Sequence, residues 1–493
     1  MAETTPHVLI FPFPIQGHIN SMLKLAEVLC ISGISVTFVN TQRNHSRHLT
    51  FTDVQSRFGG FPRFCFEAIP DGLSDQPHSS GFSSFPDFLG LLDRVEKFMK
   101  PGFRELLTSN HRFRSDARGP VSCIIADGIL GFAIDVAHEL GIPSISFRTI
   151  SACGALCYLC LPKLINNGEI PFKDEDMDRL IKNVPGMENF LRCRDLPSFC
   201  RAKDANDPNL NFVITETSYS TRATAHILNT FEEIEAPIIS RLRSSYWPNL
   251  YTVGPLNALL STLRRSSSTN SSSSSSVSVS SNASLYEEDR SCMTWLDKQP
   301  EKSVVYVSFG SLAMVSREQW LELWYGLVNS SYRFLWVRRP DSLTDKDNEK
   351  SQMSAELIEA TKERGYMVEW APQEEVLNHP AVGAFLTHSG WNSTLESMVA
   401  GVPMICWPHS AEQPVNSRYV SEVWKTGMDM KDNCNRSTVE KFVRDMMDGD
   451  KRQELMKSTT KVSQMAQQSS SISCNGSSYR NYEALLDFIR KSC

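Results

Sequence analysis

The stretch 370–413 contains the residues best suited to chemistry. Within it, the apolar run 381–387 predicts a buried strand of a parallel sheet. The sequence HSGWNS follows at 388–393, and the pattern turns helical over 394–400 before Gly401. A glycine-containing turn thus joins the carboxyl end of a strand to a helix whose first residues are Asn392, Ser393 and Thr394. Free backbone N–H groups and the helix dipole favour an anion at such a helix start. This pattern predicts a phosphate site that uses no metal.

Three side chains of the same stretch suit the other parts of a nucleotide. His388 places a hydrogen-bond donor beside the turn. Glu396, in the first turn of the predicted helix, can accept hydrogen bonds from two vicinal ribose hydroxyls. Trp370 follows the predicted strand 365–369 and offers a flat face to a base. Together they indicate a nucleoside diphosphate.

This stretch resembles the signature box of plant family-one UDP-dependent glycosyltransferases, from its opening Trp through HSGWNS, the Glu, the WP pair and the closing acid-Gln pair. The resemblance implies Trp370 for the uracil, Gln373 for the nucleoside, His388, Asn392 and Ser393 for the diphosphate, Glu396 for the ribose, and Glu412 and Gln413 for the sugar. The full set that it assigns to UDP-sugar binding is Gly17, Thr149, Ser311, Trp370, Ala371, Gln373, His388, Trp391, Asn392, Ser393, Glu396, Glu412 and Gln413. Two residues depart from the family pattern, since Ser389 stands where Cys is common and Glu412 where Asp is usual.

Composition narrows the class of protein. A chain of 493 residues exceeds one ordinary core, which predicts two domains. A net charge of −6 argues against nucleic-acid or anionic-membrane partners. The first apolar run, 8–15, is short and broken by Pro12 and Pro14, so we expect no signal peptide and no integral membrane segment. Thirteen cysteines without a spaced framework indicate reduced thiols and a cytoplasmic location. We expect a monomer.

Strand and helix patterns alternate in both halves of the chain, which predicts α/β architecture with parallel, doubly wound sheets. The resemblance implies the GT-B fold, in which two Rossmann-like domains face each other across a cleft. We predict an acceptor-binding domain at 1–256, a linker at 257–296, a UDP-sugar-binding domain at 297–472, and a last helix within 473–493 that packs back on the first domain. Residues 264–284 are serine-dominated and predict a disordered insertion in the linker.

His18 and Asp127 are the candidate catalytic residues. A histidine at a helix start commonly has no catalytic role, and an aspartate after a strand is commonly an ordinary turn residue. Both, however, follow predicted strands, where open α/β sheets bind ligands. The resemblance makes His18 the general base, and Asp127 would then orient its ring. One in-line displacement of UDP inverts the anomeric centre and gives a β-glucoside. Ser311, after the predicted strand 303–309, would form a second wall of the diphosphate site.

The acceptor is expected to be a small lipophilic plant metabolite, glucosylated on a hydroxyl or carboxyl. Gln413 favours UDP-glucose, because family members selective for galactose tend to have His there. The segments QGHINSMLKLAEVL and IPDGL resemble the branch that glucosylates terpenoids, iridoids and cyanohydrins, with Ser21 replacing a common Pro. The candidate acceptor-binding residues are Ile15, Phe88, Phe147 and Arg148. Arg148 stands where the family usually has Trp or Tyr. It either points to the surface or forms a structural ion pair with a nearby acid, or it binds an acceptor carboxylate, as in an iridoid acid.

Other interpretations remain open. Cys153, Cys157 and Cys160 have the spacing of an iron–sulfur motif, but they lie in an apolar helical stretch that favours a core. The Asp-x-Asp pairs at 345–347 and 448–450 lie in polar surroundings typical of a solvated surface. A flavonoid or phenolic glucosyltransferase is an alternative, as is a non-catalytic sugar-nucleotide-binding protein. We predict no metal and no cofactor besides the UDP-glucose donor.

Overall fold

The computed structural model describes residues 5–72, 94–109, 119–268, 284–340, 342 and 355–492. Its strands are β1 His7–Phe11, β2 Ser35–Thr41, β3 Phe64–Ile69, β4 Cys123–Asp127, β5 Ser144–Arg148, β6 Ala225–Leu228, β7 Leu250–Thr252, β8 Val304–Ser308, β9 Arg333–Val337, β10 Gly365–Val368, β11 Val382–Thr387, β12 Met404–Cys406 and β13 Gly427–Asp429. The three-residue strand β13 was not predicted, because so short a segment shows no periodicity.

The strands form two parallel sheets. One has seven strands in the order β3-β2-β1-β4-β5-β6-β7, and the other has six in the order β10-β9-β8-β11-β12-β13. The order reverses beside β1 and beside β8, which makes each sheet doubly wound and creates a crevice at the carboxyl ends of its strands. These two Rossmann-like sheets confirm the predicted GT-B fold.

Helices connect and cover the strands. The α-helices of the first half are α1 Gln16–Ile31, then Gln42–Phe51, Val54–Phe58, Lys100–Thr108, Gly131–Glu139, Ala152–Asn166, Pro208–Ser220, Glu232–Ser245 and Leu256–Ser268. Those of the second half are Ser291–Leu296, Arg317–Asn329, Ala355–Arg364, Gln373–Asn378, Trp391–Ala400, Gln413–Arg418, Arg436–Met447, Asp450–Ser469 and Ser477–Lys491. We call Trp391–Ala400 the box helix.

The central strands are buried on both faces, and most of their positions are apolar. In β1, Val8 and Ile10 belong to one core cluster, while Leu9 and Phe11 belong to another on the opposite face. In the second sheet, β8 divides its residues in the same way between two clusters. Both sheets therefore have a helical layer on each side, and the exposed carboxyl ends are left for the site.

Two details differ from the sequence prediction. Residues 264–268 of the predicted disordered insertion continue the helix Leu256–Ser268, where the Arg264 Nε atom donates to Glu27 Oε1 at 2.6 Å. Ser284, its other end, is buried, and 269–283 lie outside the described residues. The box helix begins at Trp391, one residue before the predicted start, so Glu396 lies in its second turn and not in its first. Gly401 ends the helix in a left-handed conformation with φ 69°.

The last helix, Ser477–Lys491, lies against the first sheet. It contacts β7, and the Tyr482 hydroxyl donates to the carbonyl of Val28 in α1 at 3.2 Å. Within the described part of the chain, no helix is both long and apolar enough to cross a bilayer.

Candidate active site

A cleft lies between the carboxyl ends of the two sheets. The predicted site residues that line it are Ile15, Gly17, His18, Asp127, Arg148, Thr149, Ser311, Trp370, Ala371, Gln373, His388, Trp391, Asn392, Ser393, Glu396, Glu412 and Gln413. Phe88 lies outside the described residues. The prediction for Phe147 was wrong, because its side chain points into the core of the first domain and is fully buried. Alternation along β5 leaves Arg148 on the cleft side.

His18 lies in the first turn of α1, after β1, and meets Asp127 at the end of the adjacent strand β4. Its Nδ1 atom is 2.6 Å from Asp127 Oδ2, and Thr149 Oγ1 is 3.0 Å from the same nitrogen. A carboxylate at Nδ1 favours the tautomer with its proton on Nδ1 and leaves Nε2 as the basic nitrogen. The arrangement is that of a general base with an orienting acid.

Asp127 is itself held in place by backbone donors. Its Oδ2 atom accepts from the Phe13 N–H at 3.2 Å, and its Oδ1 atom accepts from the Ile129 N–H at 3.2 Å. The side chain is almost fully buried. Because these bonds use the carboxylate form, Asp127 is suited to balance a positive charge on His18.

His388 lies between two glycines. A Cβ atom added to Gly310 or to Gly390 would overlap the imidazole ring. Burial lowers the pKa of His388 to about 4, so the ring is neutral at pH 7. A hydrogen bond to the Ser308 backbone acts in the opposite direction but does not offset the effect of burial. The ring can therefore offer a neutral N–H donor but no charge.

The start of the box helix touches α1 directly. Asn392 Nδ2 donates to the Gly17 carbonyl at 2.7 Å, and Ser21 Oγ donates to Asn392 Oδ1 at 2.7 Å. A proline at position 21 could not make the second bond. The indole N–H of Trp391 donates to the Asn229 carbonyl of the first domain at 2.8 Å. Trp391 therefore anchors the two domains to each other as well as bordering the cleft.

Glu396 lies in a cluster of charged groups that sequence reasoning missed. The ammonium of Lys24, in α1, pairs with Glu374 and lies 3.5 Å from Glu396 Oε1. Gln373 Nε2 donates to Glu396 Oε2 at 2.7 Å and to Ser393 Oγ at 2.9 Å. One pattern in the sequence could have indicated this cluster. The spacing of Gly17, Ser21 and Lys24 places all three on one face of α1.

The two residues predicted to bind the sugar, Gln413 and Glu412, both contact neighbouring parts of the protein. Gln413 Oε1 accepts from the backbone N–H groups of His409 and Ser410, both at 2.9 Å. Burial raises the pKa of Glu412. Gly154 lets Glu412 approach, since a Cβ at this position would meet the Glu412 side chain.

Arg148 has two partners at the wall of the cleft. Its Nη1 atom donates to the Gly128 carbonyl at 2.8 Å, and its guanidinium lies 5.7 Å from the centre of the Tyr158 ring. The side chain is 7% exposed, and no ion pair to it is found among the described residues. The Arg148 charge nevertheless acts on the Glu412 carboxyl, whose pKa it lowers against the larger effect of burial, and the guanidinium borders the cleft.

Tyr286, in the linker, was also missed. Its ring stacks on Trp370 with centroids 4.5 Å apart and an interplanar angle of 26°. One face of the Trp370 indole is thus covered by protein. Nothing local in the sequence indicated this pairing, because Tyr286 and Trp370 lie on different segments.

The described residues of the two alternative metal-binding motifs lie either in a hydrophobic core or on the protein surface. Cys153, Cys157 and Cys160 are buried in the helix Ala152–Asn166 as part of a core cluster. Asp448 and Asp450 are exposed. The pair at 345–347 lies outside the described residues.

Comparisons with known proteins identify the family of this chain. Residues 278–465 match the family model described as UDP-glucoronosyl and UDP-glucosyl transferase. The chain is 52% identical to 7-deoxyloganetic acid glucosyltransferase from Catharanthus roseus, with 98% of this chain and 97% of that one covered. It is 39% identical to 7-deoxyloganetin glucosyltransferase from Gardenia jasminoides, covering 98% and 97%. The crystal structure of Os79 from O. sativa in complex with UDP matches with a TM-score of 0.80 and 30% identity, covering 99% and 100%. The chain therefore belongs to the UDP-glycosyltransferase family and is an enzyme of that family.

Proposed function

We propose that this enzyme transfers glucose from UDP-glucose to a hydroxyl group of a small terpenoid acid of the iridoid class, with inversion to a β-glucoside. The observation that carries the catalytic part is the contact between His18 and Asp127 inside a cleft that also contains the nucleotide-binding box. The acceptor class is supported by the similarity to glucosyltransferases named for 7-deoxyloganetic acid and 7-deoxyloganetin.

In the proposed reaction, His18 Nε2 removes the proton of the acceptor hydroxyl as its oxygen attacks the anomeric carbon. The bond between that carbon and the diphosphate breaks on the opposite face, and UDP leaves with the electron pair. Asp127 stabilises the imidazolium that forms, because it accepts from Nδ1. A single displacement needs no covalent enzyme intermediate and inverts the centre.

The donor is proposed to bind without a metal. Backbone N–H groups at the start of the box helix would bind the phosphates, helped by the helix dipole. His388 would add a neutral donor, while Trp370 and Glu396 would bind the base and the ribose. Complete loss of activity in EDTA, restored by a divalent cation, would overturn the metal-free part of the proposal.

The acceptor is proposed to lie on the first-domain side of the cleft. Its walls there are largely apolar and include Ile15, Ile129, Phe199 and Val213, which suits a terpenoid skeleton. Arg148 supplies the one guanidinium among the described lining residues, and its planar fork suits a carboxylate. The acceptor hydroxyl would point at His18.

An acceptor screen with UDP-glucose tests the proposal. Iridoid acids, their methyl esters, simple terpenoid alcohols and flavonols would be compared by UDP release, with the product anomer identified by NMR. We expect the highest kcat/KM for an iridoid acid and a β-linked product. A clear preference for flavonols would replace the terpenoid assignment with the phenolic one, and an α-linked product would exclude the single displacement.

A further inference from the structure

We propose that Lys24 is a positioning residue that orients Glu396 for the donor ribose, so that helix α1 carries both the catalytic base and a support for the donor site. This inference rests on the proposed role of Glu396 as the ribose-binding carboxylate. It concerns a first-domain residue that does not itself line the cleft. The first domain would therefore take part in donor recognition, although the donor-binding box lies on the second domain.

The geometry that supports the proposal is one face of α1. Gly17, Ser21 and Lys24 are four and three residues apart, which places them in line along a helix. The first two contact Asn392, and Lys24 contacts Glu396. Each contact joins α1 to a box-helix side chain for which a donor-binding role is proposed. His18 lies on the same helix, one residue after Gly17.

The contact with Glu396 has a specific electrostatic role. Lys24 and Glu396 are 5% and 7% exposed, so both charges lie in a poorly solvated environment. Burial raises the pKa of Glu396 to about 7, and the nearby Lys24 ammonium opposes that rise. Only the carboxylate offers all its oxygen lone pairs to two ribose hydroxyls. Lys24 thus favours the form of Glu396 that accepts hydrogen bonds.

The contacts also fix the direction of the carboxylate. Gln373 donates to Oε2 and Lys24 approaches Oε1. With a partner on each oxygen, rotation of the carboxylate plane is restricted before the donor arrives. Glu374 holds the Lys24 ammonium from the other side, but it belongs to the helix Gln373–Asn378 and not to the box helix.

The test compares the binding of UDP and of 2′-deoxy-UDP by calorimetry on the full-length enzyme. Lys24→Met should reduce the preference for UDP about tenfold, the usual effect of weakening a hydrogen bond to a charged group. Lys24→Arg should retain most of the preference, because it keeps the charge. In the same variants, KM for UDP-glucose should change more than kcat does, since His18 and Asp127 are untouched. Glu396→Gln should abolish the preference, and adding Lys24→Met to it should cause no further loss.

Glu374→Gln is the matched control. It disturbs the same charged cluster but leaves Lys24 beside Glu396, so the preference for UDP should persist. Equal losses of UDP and 2′-deoxy-UDP binding in Lys24→Met, or additive losses in the double variant, would overturn the inference and make Lys24 a purely structural contact between domains. If Lys24→Met does not fold, Lys24→Gln is measured in its place. An unchanged preference in Glu396→Gln would instead refute the proposed ribose role of Glu396.

Discussion

The Nδ1 atom of His18 and the Oδ2 atom of Asp127 lie 2.6 Å apart, although 109 residues separate them in the chain. They meet because β1 and β4 are neighbours in the sheet. Asp127 is the last residue of β4, and His18 lies in the first turn of the helix that follows β1. Neither strand alone could place them together. The pair is thus a direct consequence of the doubly wound strand order.

Replacing His18 by Ala should reduce kcat by roughly 10²–10⁴, the usual effect of removing a positioned base. The affinity for UDP should remain nearly unchanged, because the donor-binding box lies on the other domain. Steady-state UDP release and calorimetry with UDP measure the two quantities. Asp127→Asn is an informative companion, since an amide donating to Nδ1 would favour the wrong tautomer. Wild-type turnover in a His18→Ala variant that binds UDP normally would exclude His18 as the base.

Replacing Trp370 by Ala should weaken UDP-glucose binding by ~1–3 kcal/mol, by analogy with bases stacked on aromatic side chains. Tyr286→Ala should have a smaller effect, because Tyr286 stacks on one face of the Trp370 indole and the base is proposed to stack on the other. Calorimetry with UDP and with free uridine measures both. A larger loss in Tyr286→Ala than in Trp370→Ala would mean that the base stacks on Tyr286 instead.

Replacing Arg148 by Trp should penalise acidic acceptors relative to their methyl esters by ~1–3 kcal/mol in kcat/KM, the value of a desolvated hydrogen bond to a charged group. The substitution also removes the bond to the Gly128 carbonyl. That structural loss affects both acceptors alike, so the ratio between them isolates the carboxylate. Arg148→Lys keeps the positive charge but not the planar guanidinium. Its penalty on acidic acceptors should lie between those of the wild type and Arg148→Trp. Equal losses of kcat/KM on the acid and on its methyl ester would contradict the proposed contact between Arg148 and the acceptor carboxylate.

Replacing His226 by Gln should make the stability of the protein less sensitive to acid. Burial lowers the pKa of His226 from 6.5 to about 4, so between those pH values the unfolded chain binds more protons than the folded one. The free energy of unfolding of the wild type therefore falls as the pH falls through this window, by at most about 1.4 kcal/mol per pH unit from this residue.

The glutamine amide of the His226→Gln variant would retain a donor for the Ser220 carbonyl, which His226 Nε2 contacts at 2.9 Å in the wild type. Urea unfolding at pH 7, 6 and 5 measures the difference between wild type and variant. The two should diverge only below pH 6.5. Parallel curves across the whole range would show that His226 titrates normally in the folded protein.

The amino-acid sequence alone determined the family and the fold class. The box from 370 to 413 is contiguous, so its strand, turn and helix patterns could be recognised together. The alternation of strand and helix patterns along the chain predicted parallel sheets, because parallel neighbours are joined by helical crossovers. The exact ends of the elements were less certain, as the earlier start of the box helix illustrates.

Only the tertiary structure decided which side chains meet across the cleft. Lys24 is one lysine in an amphipathic helix until α1 packs against the box helix and brings it to Glu396. Tyr286 and Trp370 lie on different segments and meet only in the folded chain. Phe147 and Arg148 are neighbours in β5, but their side chains point to opposite faces of the sheet. Local patterns follow from backbone periodicity, which the sequence carries directly. Contacts between distant segments depend on the packing of whole elements, and packing is a property of the folded chain.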